Sequence, residues 1–158
     1  MQKIRPCLWF NDQAEEAATF YVSLFPDSKI LETSRFGEGS PGEPGKVMVV
    51  TFHLAGQEFM ALNGGPEFNF TEAVSFFVSC ETQADVDRYW NALIAAGGQE
   101  SQCAWLKDRF GLSWQIVPDA LGLYLGDPDA QKAQRVMQAM LQMSKIDIAA
   151  LDRAYAGA

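Results

Sequence analysis

The predicted order of strands and helices occurs twice along the chain, and this repetition limits the possible folds more than any other feature. Gln13-Ala14-Glu15 opens a predicted helix in the first half, and Gln83-Ala84-Asp85 opens one in the second. Phe20 and Trp90 stand at the same offset after these openings. Each half predicts a strand, a helix and then three strands, so duplication of one unit explains the pattern.

In the first half, runs of apolar and β-branched residues predict strands over 4–10, 28–35, 47–54 and 58–63. Apolar residues at helical spacing predict an amphipathic helix over about 13–24, which Pro26 ends. Asp12, three residues before Glu15, is predicted to cap this helix. The segment 37–45 contains four glycines and two prolines, which predicts a flexible loop.

In the second half, the same reasoning predicts strands over 74–79, 100–103, 104–107 and 112–117. Thr82 is predicted to cap a helix that Gly97-Gly98 ends. The tail predicts an amphipathic helix near 133–141 and a shorter helix capped by Asp147. We interpret the tail as packing against the domain, and a dimer contact is the alternative.

We therefore predict an α+β fold in which residues 1–158 form a single domain. Residues 1–65 would form a first βαβββ half, 74–118 a second βαβββ half, and 119–158 a C-terminal helical extension. A half-module alone leaves one face of its sheet uncovered. Pairing two halves would bury the helices on one side and curl the strands around a shared groove on the other.

The charge balance argues against two classes of partner. The chain has 20 acidic and 12 basic residues, a net charge of −8, which repels both nucleic-acid phosphates and anionic membranes. No run approaches the length of a membrane span, and the first ten residues lack the apolar core of a signal peptide. Three widely spaced cysteines predict free thiols in a reducing cytoplasm.

Several stretches resemble the PhnB-like family, which is also labelled 3-demethylubiquinone-9 3-methyltransferase-like. They comprise Pro6–Phe10, Ala14–Ala18, Phe20-Tyr21, Phe25–Ile30, Leu62–Pro66, Gln102–Asp108, Phe110-Gly111, Ser113–Pro118 and segments of the tail from Met140 to Ala149. The stretch from Gln102 to Pro118 is the most specific, and the resemblance covers almost the whole chain. The PhnB-like family is a branch of the vicinal oxygen chelate superfamily, with glyoxalase I, bleomycin-resistance proteins and extradiol dioxygenases.

This resemblance implies a glyoxalase/bleomycin-resistance-like curled sheet, a small-molecule ligand and a homodimer. Enzymes of the superfamily hold a divalent metal that acts as a Lewis acid on the substrate. By resemblance, the metal-ligand positions map near Arg5, Asn63, Ser75 and Gln115. Arginine stays protonated, and the other three side chains offer only neutral oxygens. We therefore predict no tightly bound metal and no cofactor.

Strand alternation separates a helix-facing side from a groove-facing side of each sheet. The residues predicted to pack under the helices are Ile4, Leu8, Phe10, Met60, Leu62, Val74, Phe76, Val78, Leu112, Trp114 and Ile116. The candidate ligand-cleft residues are Cys7, Trp9, Asn63, Ser75, Phe77, Cys103, Trp105 and Gln115. Aromatic walls with uncharged polar groups suit a planar or aromatic small molecule. The alternative is that these aromatic side chains fill the groove as ordinary core.

Other reactive side chains have structural interpretations as well as functional ones. His53 is the only histidine, and we expect it to be a surface or half-buried polar residue on a mixed strand face rather than a metal ligand. Cys7 and Cys103 could be nucleophiles or soft ligands, although free cysteine is more often an inert apolar residue. Asp108 and Arg109 are predicted to serve the turn before the last strand. No catalytic residue can be named.

Three functions remain open from the sequence. The preferred one is metal-independent binding of a small apolar or aromatic molecule. The second is a metal-dependent lyase, isomerase or dioxygenase, and the third is the ubiquinone-precursor methyltransferase of the family label. A methyltransferase of the usual kind needs a glycine-rich turn between a strand and a helix to hold its cofactor. Gly64-Gly65 follows a predicted strand but leads into Pro66 and a connector. Whether the protein is an enzyme at all is left open.

Overall fold

The computed structural model describes residues 2–158. The chain divides into two compact units, with the boundary between Phe70 and Thr71, inside the predicted connector. Each unit is built on one four-stranded sheet. None of the helices within 2–158 is long and apolar enough to cross a membrane.

The first unit has the predicted βαβββ order. Its elements are β1 (Cys7–Phe10), α1 (Ala14–Leu24), β2 (Lys29–Arg35), β3 (Val47–Leu54) and β4 (Gln57–Asn63). The strand order is β1-β4-β3-β2, in which β1 and β4 run parallel and the other neighbours antiparallel. Helix α1 thus connects β1 to β2. Strands β2, β3 and β4 then follow one another as antiparallel neighbours, and β4 lies beside β1.

Helix α1 covers one face of the first sheet. Its buried residues are Ala14, Ala17, Ala18 and Tyr21, which follow the i, i+3, i+4, i+7 spacing of one helix stripe. Three of the four are alanine, so the helix backbone can lie close to the strands beneath it. The buried strand residues on this side include Leu8, Phe10, Val50 and Phe52.

The predicted orientation of β4 is wrong. Met60 and Leu62 were expected under the helix, but both are half-buried, whereas Phe59 and Ala61 are the buried residues of this strand. Ala61 pairs with the buried Leu8, which fixes its side on the helix face. Four consecutive apolar residues give no alternation, and a shift of one residue turns every side chain to the other face.

Two other residues predicted to pack under the helices are exposed. Ile4 is 84% exposed and Val74 is 66% exposed, because the strands begin only at Cys7 and Ser75. The prediction for Ile4 and Val74 is therefore wrong, although Leu112, Trp114 and Ile116 are buried as predicted.

The cap of α1 comes from a distant strand rather than from Asp12. The residue before the helix is Gln13, whose side chain makes no capping hydrogen bond within the described chain. The backbone N–H of Ala14 instead donates to Asn63 Oδ1 at 2.8 Å. One of the unpaired N–H groups of the helix start is thereby satisfied across 49 residues of sequence.

The second unit repeats the βαβββ order. Its elements are β5 (Ser75–Cys80), α2 (Gln83–Ala95), β6 (Gln99–Glu100), β7 (Trp105–Lys107) and β8 (Ser113–Pro118), with strand order β5-β8-β7-β6. The predicted cap is confirmed, since Thr82 Oγ1 accepts from the Asp85 N–H at 3.2 Å. Gly97 has a φ of +109°, and the Gly98 N–H donates to the Leu93 carbonyl, so the glycine pair ends the helix as predicted.

Three helices follow the second sheet and pack into the second unit. They are α3 (Asp119–Leu125), α4 (Ala130–Met140) and α5 (Ile148–Ala156). Their buried cluster joins Val136, Ile146 and Leu151 to Ala104 and Val117. Asp147 caps α5 by accepting from the Ala150 N–H, as predicted. Helix α3 was not predicted, because Pro118 was interpreted as the end of a strand rather than as a helix start.

Candidate functional site

A groove of about 820 Å³ lies where β1, β2 and β4 end and β3 begins. Trp9, Leu62 and Met48 line it with half-buried apolar side chains. Trp9 and Leu62 are paired across β1 and β4, so their side chains share the face opposite α1. The groove therefore combines an aromatic wall with space for a ligand.

The indole of Trp9 is held in a defined place. Its Nε1–H donates to the Gly65 carbonyl at 2.9 Å, and Phe68 contacts it edge-on with ring centroids 4.9 Å apart. Gly64 lies beneath the ring, where a Cβ atom would stand only 2.4 Å from the ring carbon Cζ2. The absence of a side chain at Gly64 thus lets the indole pack directly on the backbone.

Asn63 lines the same groove, and both ends of its amide are engaged. Its Oδ1 accepts from the Ala14 N–H at 2.8 Å, and its Nδ2 donates to the Val47 carbonyl at 3.0 Å. These bonds tie β4 to the start of α1 and to the start of β3. Asn63 therefore fixes the shape of the groove wall through its own hydrogen bonds.

The outer wall of the groove is the glycine-rich loop between β2 and β3. The backbone of Phe36 joins the two ends of this loop. Its N–H donates to the Lys46 carbonyl, and its carbonyl accepts from the Gly45 N–H. Its ring lies against Gly42, where a Cβ would come within 2.5 Å. The Arg35 side chain adds a 3.1 Å hydrogen bond to the Gly45 carbonyl.

The rim of the groove is mainly acidic. Asp12, Glu15 and Glu16 line it near the start of α1. Arg35 and Lys46 also line it, together with Glu43, so acidic residues outnumber basic ones. The Lys46 ammonium is paired with Glu43 at 2.8 Å, and that hydrogen bond raises the pKa of Lys46. The helix start offsets part of the negative charge. Neutral or cationic molecules are therefore more compatible with this rim than anions.

The remaining open face of the first sheet carries Cys7 and His53. Cys7 is exposed and pairs with Met60, and partial burial of its thiol raises its pKa, so the thiol stays protonated near neutral pH. His53 is half-buried opposite Glu58, as expected for a mixed strand face. Glu58 itself is bonded to Arg5 at 2.9 Å.

Four predicted cleft residues share the open face of the second sheet. Phe77, Gln115 and Trp105 lie side by side in the strand register, and Gln115 Nε2 donates to Ser75 Oγ at 2.9 Å. Phe77 is 60% exposed. Cys103 lies outside the strands, in the turn before β7, where its backbone N–H donates to the Met143 carbonyl.

The turn before β8 is organised by one buried carboxylate. Asp108 is 4% exposed and accepts from the N–H groups of Phe110 and Leu112 at 2.9 and 3.0 Å and from Trp114 Nε1 at 2.9 Å. The prediction that Asp108 serves this turn is confirmed. Its hydrogen bonds set the position at which β8 begins.

A second, smaller cavity of about 250 Å³ adjoins the second sheet. Glu72, Lys107 and the fully buried Ser113 line it. Ser113 was predicted to face the groove, but it was not among the candidate ligand-cleft residues. Its burial depends on surrounding structure, which a strand pattern does not reveal.

The superfamily metal does not fit the residues at the positions that the resemblance assigns to it. Arg5 is bonded to Glu58, Asn63 uses both ends of its amide, and Ser75 and Gln115 are bonded to each other. Over residues 2–158, no group of three or more His, Cys, Asp and Glu side chains converges as a metal site requires.

The sequence pattern of the family described as 3-demethylubiquinone-9 3-methyltransferase matches residues 2–117. The chain belongs to this family. The PhnB protein from Bacillus cereus is 40% identical, with a TM-score of 0.67 over 74% of this chain and 99% of that one. The predicted PhnB-like membership is therefore confirmed.

More distant structures share the fold of this PhnB-like protein. Protein PA1353 from Pseudomonas aeruginosa is 24% identical, with a TM-score of 0.60 over 75% of this chain and 98% of that one. The fosfomycin resistance protein FosX from Listeria monocytogenes is 15% identical, with a TM-score of 0.58 over 80% and 98%. Among curated proteins, none matches the chain. The predicted α+β fold of two βαβββ modules with C-terminal helices is confirmed.

Proposed function

We propose that this PhnB-like protein binds a small apolar or aromatic molecule in the groove beside Trp9, without a tightly bound metal. The observation that carries the proposal is the fixed, half-buried indole of Trp9, next to Leu62 and Met48 in a groove of about 820 Å³. Ligand pockets typically measure about 300–1,000 Å³ and are lined mainly by apolar and aromatic side chains.

The charge and shape of the groove narrow the ligand class. A planar molecule can stack on an indole, and a cationic one gains further from the ring face. The acidic rim formed by Asp12, Glu15 and Glu16 favours neutral or cationic molecules over anions. We therefore expect a neutral or cationic aromatic ligand.

The family description names a methyltransferase, and the turn after β4 argues against that chemistry in this chain. Gly64-Gly65 leads through Pro66 into a connector that continues to β5, without an intervening helix in this described segment. Nucleotide-like cofactors are usually held by a glycine-rich turn at a helix start. S-adenosylmethionine is nevertheless included in the test, because its binding would favour the methyltransferase.

We keep the other predicted cleft residues as alternative ligand contacts outside the Trp9 groove. They are Cys7 on the first sheet, and Ser75, Phe77, Cys103, Trp105 and Gln115 in the second unit. Phe77 and Trp105 would offer a second aromatic surface.

We also propose that the protein is a cytoplasmic homodimer. The free thiols of Cys7, Cys80 and Cys103 support a reducing compartment. The exposed side chains of Phe77 and Leu123, which are 60% and 76% exposed, support a protein contact on the second unit. Sedimentation velocity would yield twice the monomer mass of 17.5 kDa, and a monomer at all concentrations would contradict this part.

The binding proposal is tested by a thermal-shift screen against neutral and cationic aromatic molecules, with calorimetry on the hits. S-adenosylmethionine is screened separately, and its binding would favour the methyltransferase instead. A hit should raise the melting temperature of the wild type and of Tyr124→Leu, an aromatic control in α3, but not of Trp9→Ala. Loss of the shift in Trp105→Ala instead would move the ligand to the second sheet and contradict the Trp9 groove. No hit in the panel would count against ligand binding altogether.

A further inference from the structure

One buried hydroxyl has no hydrogen-bond partner. Ser113, the first residue of β8, is 0% exposed, and among residues 2–158 its Oγ is the one buried side-chain nitrogen or oxygen that makes no hydrogen bond. A buried polar group without a partner bears the full cost of its desolvation. Such groups are rare in folded proteins and point to a missing partner.

The cavity beside Ser113 has room for more than a water molecule. Its volume of about 250 Å³ is roughly eight times the ~30 Å³ that one water occupies in the liquid. Ser113 pairs with Lys107 across β8 and β7, and Lys107 pairs with Gln99 across β7 and β6. The three side chains therefore share one face of the sheet, and all three line the cavity.

Among the described residues, two charged side chains face this cavity, those of Glu72 and Lys107, and they form an ion pair. Glu100 also lines the cavity, but it pairs with the buried Leu106, and its carboxylate accepts from Trp90 Nε1 at 3.1 Å on the other face. Lys107 Nζ is bound to the carboxylate of Glu72, and this hydrogen bond lowers the pKa of Glu72.

Glu72 is able to leave this ion pair at low cost. Its side chain is 59% exposed, it lies in the connector before β5, and the Lys107 side chain is 42% exposed. Ion pairs of this exposure contribute little to stability, because water solvates both partners well when they separate. Lys107 would then be an available cation next to an unpartnered hydroxyl.

We propose that this cavity is a carboxylate-binding site, in which a small organic acid replaces Glu72 on Lys107 and accepts a hydrogen bond from Ser113 Oγ. The exchange keeps the charge inside the cavity unchanged, because one carboxylate takes the place of another. Ser101 and Gln99 supply further polar groups, and Trp105 supplies an apolar surface for the rest of the acid. Glu72 acts as a built-in competitor for the site.

The test is calorimetric titration of the full-length protein with acetate, propionate and benzoate at pH 7 and constant ionic strength. Acetamide and benzamide are the neutral controls, and inorganic phosphate is the control for other anions. We expect the carboxylates to bind and the amides not to bind. Glu72→Gln should strengthen binding about two- to fivefold, since an exposed ion pair no longer competes. Lys107→Met should weaken carboxylate binding and remove the preference for carboxylates over the amides.

Ser113→Ala separates a ligand contact from a structural role. It should weaken carboxylate binding about tenfold or more, because a hydrogen bond to a charged group is lost. It should also leave the melting temperature unchanged or higher, because an unpartnered hydroxyl is removed. Ser79→Ala, on the exposed part of β5, is the matched control and should change neither quantity.

The proposal is wrong if carboxylates bind no better than the amides, or if phosphate binds and carboxylates do not. It is also wrong if Ser113→Ala leaves the affinity unchanged, since the hydroxyl would then be satisfied by water alone. Trp9→Ala should leave carboxylate binding intact, so this result is independent of the aromatic groove.

Discussion

Replacement of Asp108 by alanine should be among the most destabilising single changes in the second unit. The carboxylate accepts three hydrogen bonds, and two of their donors, the Leu112 N–H and Trp114 Nε1–H, are buried. Each buried donor left unpaired costs about 1–3 kcal/mol, so the expected loss is about 2–6 kcal/mol. The third donor, the Phe110 N–H, is partly buried and adds less, because water can reach it.

Asp108→Asn refines this prediction. The amide oxygen can still accept from Leu112 and Phe110, but its NH₂ group would face the indole N–H of Trp114, and two donors cannot bond each other. We expect a loss of about 1–3 kcal/mol, smaller than for alanine. Asp147→Asn is the matched control, since asparagine caps a helix as well as aspartate does.

Urea unfolding followed by far-ultraviolet circular dichroism measures these losses. The midpoint should fall at an unchanged slope in the two Asp108 variants and stay within about 0.5 kcal/mol of the wild type in the control. If Asp108→Ala loses no more than Asp147→Asn, the carboxylate does not organise the turn before β8, and the reasoning is refuted.

Three further predictions concern the groove and the buried thiol. Gly64→Ala would place a Cβ 2.4 Å from the Trp9 ring, so the indole should move out of its site. The tryptophan fluorescence should then shift to the red, and an unchanged spectrum would contradict this prediction. Asn63→Ala removes the cap at the Ala14 N–H and should cost about 1–2 kcal/mol in urea unfolding, whereas a loss below about 0.3 kcal/mol would show that water replaces the amide. Burial raises the pKa of the Cys80 thiol to about 11, so the unfolded chain loses this proton from about pH 9 while the folded chain keeps it. Stability should therefore fall by about 2–3 kcal/mol between pH 9 and 11 in the wild type relative to Cys80→Ala, and parallel pH profiles would refute the assignment.

Much of the fold could be predicted because its signals are local. The segment 47–54 is rich in β-branched residues, and β3 occupies that range, Val47–Leu54. The caps at Thr82 and Asp147 each depend on a residue three positions away, and both are formed. Because the same element order occurs in both halves, these local signals also predicted two βαβββ modules.

The errors in the fold come from information that is not local. The apolar run 59–62 fits either face of a strand, and its pairing with β1 decides between them. The cap of α1 is supplied by Asn63, 49 residues from Ala14, so the nearby Asp12 was the wrong choice. Helix α3 was not predicted, because Pro118 was interpreted as the end of a strand, whereas it is also the N-cap residue at which the helix starts.

The candidate site also has parts that the sequence predicted and parts that it did not. Alternation along β1 predicted that Trp9 faces away from the helix, and that residue lies in the groove. Neither the outer wall formed by the loop at 37–45 nor the unpartnered hydroxyl of Ser113 has a sequence signature. Both depend on how separate segments pack, which a single sequence does not specify.

The most direct test of the central proposal follows the indole N–H signals in a ¹H–¹⁵N correlation spectrum during titration with neutral and cationic aromatic fragments. The Trp9 signal is identified by its loss in Trp9→Phe. The proposal predicts that this signal moves saturably with ligand, while the signals of the buried Trp90 and Trp114 stay in place. A panel in which no fragment moves the Trp9 signal, or in which only the other indoles respond, would contradict an aromatic-binding groove at the end of the first sheet.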